Sequence, residues 1–497
     1  MGVVIRQSVK ATLITYIGAF IGFLTTMFVL TEYLQPEEIG LTRVLLEVGV
    51  LFSVFAQLGT SSSAVRFFPY FKDRGTDHNG FLFYLLLLPF IGCLIFIPLY
   101  LLLREPIAGY FGRNSSLFVS YYYCAAPLIL FLVYWTVMET WCTLNLRIVM
   151  PKLIREVVVR LLLVVLYLLY GLRLIQLNGM ICGFVCVYGL AMLMTFWYAF
   201  SISSPPRIRG KRHVERGLVK EIAIYSFYLI MGAFGGTIIG KLDIFMVSAK
   251  MGLDFAGIYS IAFYMSTIIE IPSRSITSIS SPIVSRAMKE EDFETANLLY
   301  KKISLHQLIA GSLIFVLVWV NIDNIFAIIP NGAVYSQGKW VVFFIGISKL
   351  IEVTLGFGGI MISYTRYFRW FFFFTFLMAA VTVVTNNLFI PIWGVMGASM
   401  ATALTCLVTY SMQQWLVLKK IKGNPYNKGT FKQIALVLLL FLLNHFLPHL
   451  ESPWWDGIYR SVLTGGTGVV LLYMMRVSPD INRILDVYFN RIKNRYV

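Results

Sequence analysis

A chain of 497 residues that is 58% hydrophobic, with 13% charged side chains and a mean hydropathy of +0.76, is a polytopic membrane protein and not a water-soluble globule. Its net charge of +17 would suggest nucleic acid in a soluble protein. Here it reads as basic loops beside anionic membrane lipid, which excludes a nucleic-acid role.

A span needs about 20 apolar residues. Fourteen segments qualify in chain order: 9–34, 38–65, 79–103, 115–146, 151–172, 176–201, 219–248, 254–286, 300–320, 335–364, 368–391, 393–418, 431–448 and 457–476. The first is too long for the apolar region of a cleaved signal, and Met-Gly-Val-Val-Ile-Arg lacks the Ser or Thr of a myristoylation site. With the N-terminus inside, the cytoplasmic segments hold 30 Lys and Arg and the outer ones 5, Arg460 among the latter. That asymmetry predicts a multi-pass protein with both termini cytoplasmic.

A repeat is visible. The first helix pair meets at Leu34-Gln-Pro-Glu-Glu-Ile-Gly40-Leu, the seventh and eighth at Met251-Gly-Leu-Asp-Phe-Ala-Gly257-Ile. Each has an acid three residues before the glycine, Glu37 or Asp254, and each leads into a serine-rich stretch ending in arginine, at Arg66 or Arg286. The offset of about 217 residues spans six helices, so the halves share one orientation. The expected plan is a six-helix bundle (1–205), a basic cytoplasmic linker (206–218), a second six-helix bundle (219–420) and helices 13 and 14 (421–477). An amphipathic cytoplasmic tail helix (478–497) follows, and residues 288–300 read as a further cytoplasmic surface helix.

The stretch Gly217–Asp292 concentrates chemistry. Lys241, Asp243, Glu270 and Arg274 lie at predicted bilayer depth, where each charge costs roughly 2.5–3.5 kcal/mol on insertion scales. Glu270 and Arg274, at i and i+4, share a helix face, and Pro272 between them predicts a kink or an opened turn. Gly232, Gly235, Gly236 and Gly240 let the preceding helix bend or be closely approached. Arg43 and Glu47 stand at i and i+4 in span two, Lys349 and Glu352 at i and i+3 in span ten, and Glu139 and Arg160 in spans four and five. Each pair is either a salt bridge holding helices together or the lining of a wet cavity for a charged solute. Lys339 reads as snorkelling at the outer interface.

The six cysteines lie in spans and read as packing. His445 and His449 have no third ligand, so no metal is expected. No G-x-x-x-x-G-K loop occurs, and the outer loops are too short for a glycan-joining active site, so the chain reads as no enzyme and without a cofactor.

Two stretches carry a family resemblance: Tyr33-Leu-Gln-Pro-Glu-Glu-Ile-Gly-Leu through Leu58-Gly-Thr-Ser-Ser-Ser-Ala-Val-Arg-Phe-Phe, and Lys241-Leu-Asp-Ile-Phe-Met-Val-Ser through Gly257-Ile-Tyr-Ser. With the fourteen-span plan, the chain resembles the multidrug/oligosaccharidyl-lipid/polysaccharide exporter superfamily, and best its polysaccharide branch. That resemblance implies an all-α polytopic fold: two six-helix bundles in a V-shaped parallel repeat plus two C-terminal helices. It implies a flippase of the bacterial cytoplasmic membrane that moves an undecaprenyl-diphosphate-linked oligosaccharide by alternating access, coupled to H+ or Na+. The cavity cations would correspond to Arg43, Lys241 and Arg274, with Lys349 beside them. Glu47, Asp243, Glu270 and Glu352 would be the ion-coupling candidates. Its partners would be the lipid-linked glycan, membrane lipids, and the glycosyltransferase and polymerase of the same pathway. Alternatives are a multidrug/cation antiporter of the same superfamily and a non-transporting scaffold of glycan synthesis.

Overall fold

The computed structural model describes residues 2–71, 81–112, 114–202, 226, 241–483 and 486. Among them the fold is entirely helical. Among the described residues ten helices are long and apolar enough to cross a membrane, from Leu13–Tyr33 near the N-terminus to Lys428–Phe446. These ten do not by themselves establish a count of fourteen. Segment 151–172 is helical, but as three consecutive stretches with a π turn at Ile154–Val158. Helix Pro453–Met474, in the place of the fourteenth span, carries charged side chains that lower its hydropathy. The basic linker, the four glycines from Gly232 to Gly240, and most of the tail helix lie outside the described residues.

The chain divides into two compact units, Met1–Ser260 and Ile261–Val497. In the first, helix Pro36–Ala56 begins as its sequence dictates. Pro36 occupies the first turn, where no amide is needed, and the Gln35 amide donates to Glu38 Oε2 at 2.9 Å. The repeat has a structural counterpart here. A Cβ on Gly40 would collide with the Leu253 carbonyl, and a Cβ on Gly257 with the Pro36 carbonyl. Residues 36 and 253, like 40 and 257, are 217 apart, so matching positions of the repeat face one another reciprocally. Only glycine permits so close an approach of two backbones. The core also holds Tyr100 and Tyr122, rings stacked at 4.3 Å, with the Tyr100 hydroxyl donating to the Tyr122 carbonyl at 2.9 Å.

In the second unit Pro272 has the predicted effect. A 3₁₀ turn, Ile268–Glu270, separates helix Leu253–Thr267 from helix Ile271–Lys289, whose first turn holds the proline. Residues 288–300 do not form a separate surface helix. Asp292 caps Thr295 at 3.0 Å and opens the 28-residue helix Phe293–Val320, so residues 293–300 are its first two turns. Helix Phe368–Ile421 covers predicted spans eleven and twelve, broken at Gly394, where φ is 58° and ψ −135°. That conformation is essentially confined to glycine, so the chain turns without a loop.

Arg460, counted by sequence among the outer loop residues, is instead buried in helix Pro453–Met474 at 1% exposure. Its Nε donates to Asp456 at 2.7 Å, and its other nitrogens donate to Asn444 Oδ1 and to the carbonyls of Leu447 and Pro448. Asn324 donates to the same carboxylate at 2.7 Å. The network thus satisfies two carbonyls of the chain just after helix Lys428–Phe446.

Candidate functional site

Lys241, the first described residue after a gap, reaches across to helix Pro36–Ala56 and donates to Glu47 Oε1 at 2.6 Å. Glu47 is 7% exposed. The expected Arg43–Glu47 pair therefore does not form. Helical spacing made that pair possible, but a lysine 194 residues away takes the carboxylate instead. Arg43, one turn earlier and half-buried, has no ion pair and no hydrogen bond among the described residues. It lies within electrostatic reach of the buried hydroxyls of Tyr167 and Tyr188. The three charges thus sum to one net positive charge. Asp243, 4% exposed, accepts from the Tyr259 hydroxyl at 2.7 Å.

In the second unit the four candidates form one line. Glu270 accepts from Arg274 through Oε1 and from Lys349 through Oε2, the latter at 2.9 Å. Lys349 also donates to Glu352 Oε2 at 2.9 Å. The 3₁₀ turn before Pro272 places Glu270 at the junction, and helix Lys339–Ser363 brings Lys349 and Glu352 onto one face. Lys349, its side chain 16% exposed, lies between the two acids beside the Phe263 ring, whereas the Arg274 side chain is 67% exposed. Tyr410 lies within electrostatic reach of both acids.

Glu139 and Arg160 do not meet. Glu139 pairs with Arg155, which lies over the Trp135 ring at 4.6 Å, while Arg160 pairs with Glu156 at 2.9 Å and donates to the Gly18 carbonyl. Lys339 donates to Asp323 at 2.6 Å.

Sequence reasoning missed the tyrosines, because 28 of them are spread through the chain and nothing marks Tyr167, Tyr188, Tyr259 and Tyr410 as the ones that face charge. It also missed an apolar cavity of about 560 Å³, whose lining includes Leu308, Phe315, Phe343, Leu350, Leu438 and Phe441. Ser312 and Gln433, bonded to each other at 2.8 Å, supply part of its few polar groups. Three separate helices contribute, so no single stretch announces it. No cluster of His, Cys, Asp and Glu suited to a metal occurs among the described residues.

A family model for polysaccharide biosynthesis proteins matches residues 5–288, more than half of the chain. The chain belongs to this family. A curated relative, an uncharacterised membrane protein of Methanocaldococcus jannaschii, is 22% identical over 351 residues, 66% of this chain and 67% of that protein. The fold of this polysaccharide biosynthesis protein is similar to that of the lipid II flippase MurJ in an inward closed conformation. The TM-score is 0.68 at 13% identity, over 94% of this chain and 99% of that one. It is also similar to an inward-facing multidrug resistance MATE transporter, at TM-score 0.58 and 14% identity, over 81% and 94% of the two chains. These similarities show the expected all-helical, multi-pass fold.

Chemically, the two units offer cations of different availability. Lys241 and Lys349 are neutralised by acids. Arg43 has no acid partner among the described residues, and Arg274 sits at the exposed end of its line. Both are guanidinium groups, which present a planar fork suited to phosphate oxygens.

Proposed function

We propose that this family member is a flippase that carries a polyprenyl-diphosphate-linked oligosaccharide across the cytoplasmic membrane by alternating access. The carrying observation is Arg43, a half-buried arginine without an acid partner among the described residues, in a span where an uncompensated cation is costly. Such a charge is retained when an anionic substrate completes it. Arg43 is the candidate contact for the diphosphate in the first unit, with Lys241 tuning the field around it; Arg274, with Lys349 behind Glu270, is the separate candidate anion contact of the second unit. As phosphate oxygens draw Arg274 away, Glu270 keeps Lys349, so substrate binding changes the partners of an acid that can also exchange a proton. The matched acids Glu47, Glu270 and Glu352 suit H+ better than Na+, since a sodium ion there would face a lysine or arginine. The apolar cavity has the chemistry to take part of a prenyl chain.

The basic asymmetry of the loops supports cytoplasmic termini, and the family supports work beside a glycosyltransferase and polymerase. A cationic drug would meet acids already neutralised, which disfavours the antiporter reading. The deciding experiment reconstitutes the purified chain in liposomes and follows a fluorescent lipid-linked oligosaccharide. Flipping that Arg43→Gln abolishes supports the reading. No flipping by the wild type under any gradient leaves a scaffold, and Arg43→Gln flipping at the wild-type rate removes the site.

A further inference from the structure

At one end of the two-armed helix Phe368–Ile421, the residues just before the first arm meet the last turn of the second. The Tyr367 ring marks the meeting point. The Arg366 guanidinium lies 5.1 Å from its centroid and the Lys420 ammonium 5.8 Å. Arg366 also donates to the Tyr367 hydroxyl at 3.0 Å. The ring itself packs against the core cluster that includes Val284, Tyr300 and Ile421, so the platform is fixed before any ligand arrives. One residue away, Lys419 lies 4.9 Å from the Trp415 centroid. Trp415 and Trp370 are 60% and 45% exposed. Indole rings exposed beside cations mark the headgroup depth of a bilayer.

The charge here is unbalanced in a way the rest of the unit is not. From Glu352 to Glu451 the sequence contains no Asp or Glu between them, yet it carries Arg366, Arg369, Lys419, Lys420, Lys422, Lys428 and Lys432. Among the described residues Arg366, Arg369, Lys419, Lys420 and Lys422 have no ion pair. The dipole at the end of the second arm favours Lys419 and Lys420, but it cannot account for Arg366, which precedes the first arm, where the dipole is positive. Two cations are therefore held at one ring against their mutual repulsion, and an anion would relieve it. A ring face offers each cation a partial partner and leaves its hydrogens directed outward.

We propose that Arg366, Tyr367, Lys419 and Lys420 form a binding site for the phosphate headgroup of an anionic phospholipid. This site is separate from the Arg43 and Arg274 clusters. The lipid source is favoured over a free phosphate because the flanking indoles offer apolar surface to acyl chains. The basic asymmetry of the loops places this end at the cytoplasmic leaflet, where anionic lipid attracts basic groups.

The test uses native mass spectrometry on the delipidated full chain in detergent, titrated with phosphatidylglycerol, phosphatidylcholine and inorganic pyrophosphate. Phosphatidylglycerol should bind more tightly than phosphatidylcholine, and pyrophosphate should not displace it. Arg366→Gln and Lys420→Gln should each weaken phosphatidylglycerol about fivefold, and together roughly 25-fold. Tyr367→Phe should retain binding, since it keeps the ring and the packing, and so separates loss of the site from loss of the fold. Wild-type phosphatidylglycerol affinity in the double variant would overturn the site. So would an equal loss on changing the exposed Lys289 and Lys428 to Gln, which would mean diffuse surface charge. Displacement by pyrophosphate at matched concentration would overturn it in favour of a soluble anion.

Discussion

Arg43 and Lys349 show how two basic residues in membrane spans serve different ends. Lys349 sits between two acids, and its side chain is 16% exposed. Lys349→Met should leave Glu352 without its partner and Glu270 with Arg274 alone, and lower stability by about 1–3 kcal/mol, read as a fall in melting temperature in detergent. Adding Glu352→Gln should restore part of that, because one stranded charge is removed. Arg43 breaks no ion pair when it is changed, so Arg43→Gln should leave the stability read from thermal melting within about 0.5 kcal/mol of wild type. It should weaken substrate binding by about 10- to 100-fold, one charge-assisted hydrogen bond's worth. A large stability loss in Arg43→Gln would show that the residue is structural. For Arg274 the cleaner variant is Arg274→Ala with Glu270→Gln, which leaves no uncompensated acid; full glycan export by that pair at normal abundance would remove Arg274 from the site. Arg460 belongs with Lys349: its burial against Asp456 predicts a loss of about 3–5 kcal/mol for Arg460→Met, again read by thermal melting.

At the scale of elements, glycines decide two geometries. Gly394 adopts a φ/ψ pair that a side chain cannot share cheaply, so Gly394→Ala should destabilise by about 1–3 kcal/mol. Gly40 and Gly257 make the same contact from opposite partners. Gly40→Ala and Gly257→Ala should therefore cause similar losses, and the double variant should cost less than their sum, because both open one shared seam. Thermal unfolding of the three variants checks this; a silent Gly257→Ala beside a damaging Gly40→Ala would contradict the reciprocal arrangement. The elements themselves were largely legible. Pro272 announced its opened turn, and Gly40 and Gly257 the repeat, whereas the helix start at Pro36 and Glu38 was seen only in the structure. The helix at 288–300 was misread because its acidic first turns looked interfacial, while the apolar turns that follow are continuous with them.

For the whole molecule, orientation is the testable property. Single-cysteine probes in a cysteine-free background should label Lys422→Cys only from the cytoplasmic side and Arg104→Cys only from the outer side. Outer labelling at Lys422 would reverse the topology on which both the flippase reading and the headgroup site lean. Length, apolar runs and basic asymmetry were enough to assign class and expected orientation, because a bilayer forces a nearly one-dimensional code of span and loop onto any chain that crosses it; the family came from the two motif stretches around Gly40 and Gly257. The sequence also named the charged residues at membrane depth, since each is conspicuous against an apolar background. Which of them pair could not be read from it. Spacing along one helix proposed Arg43 with Glu47, and Glu139 belonged with Arg155 and not Arg160; the partners were chosen by helices 194 residues apart or by a neighbouring turn. Ion pairing depends on distances of a few ångströms between side chains, and those are set only when helices pack against one another. So the sequence by itself determined a helical, multi-pass membrane protein with charges at membrane depth, and the tertiary structure decided that Arg43 stands without an acid partner among the described residues.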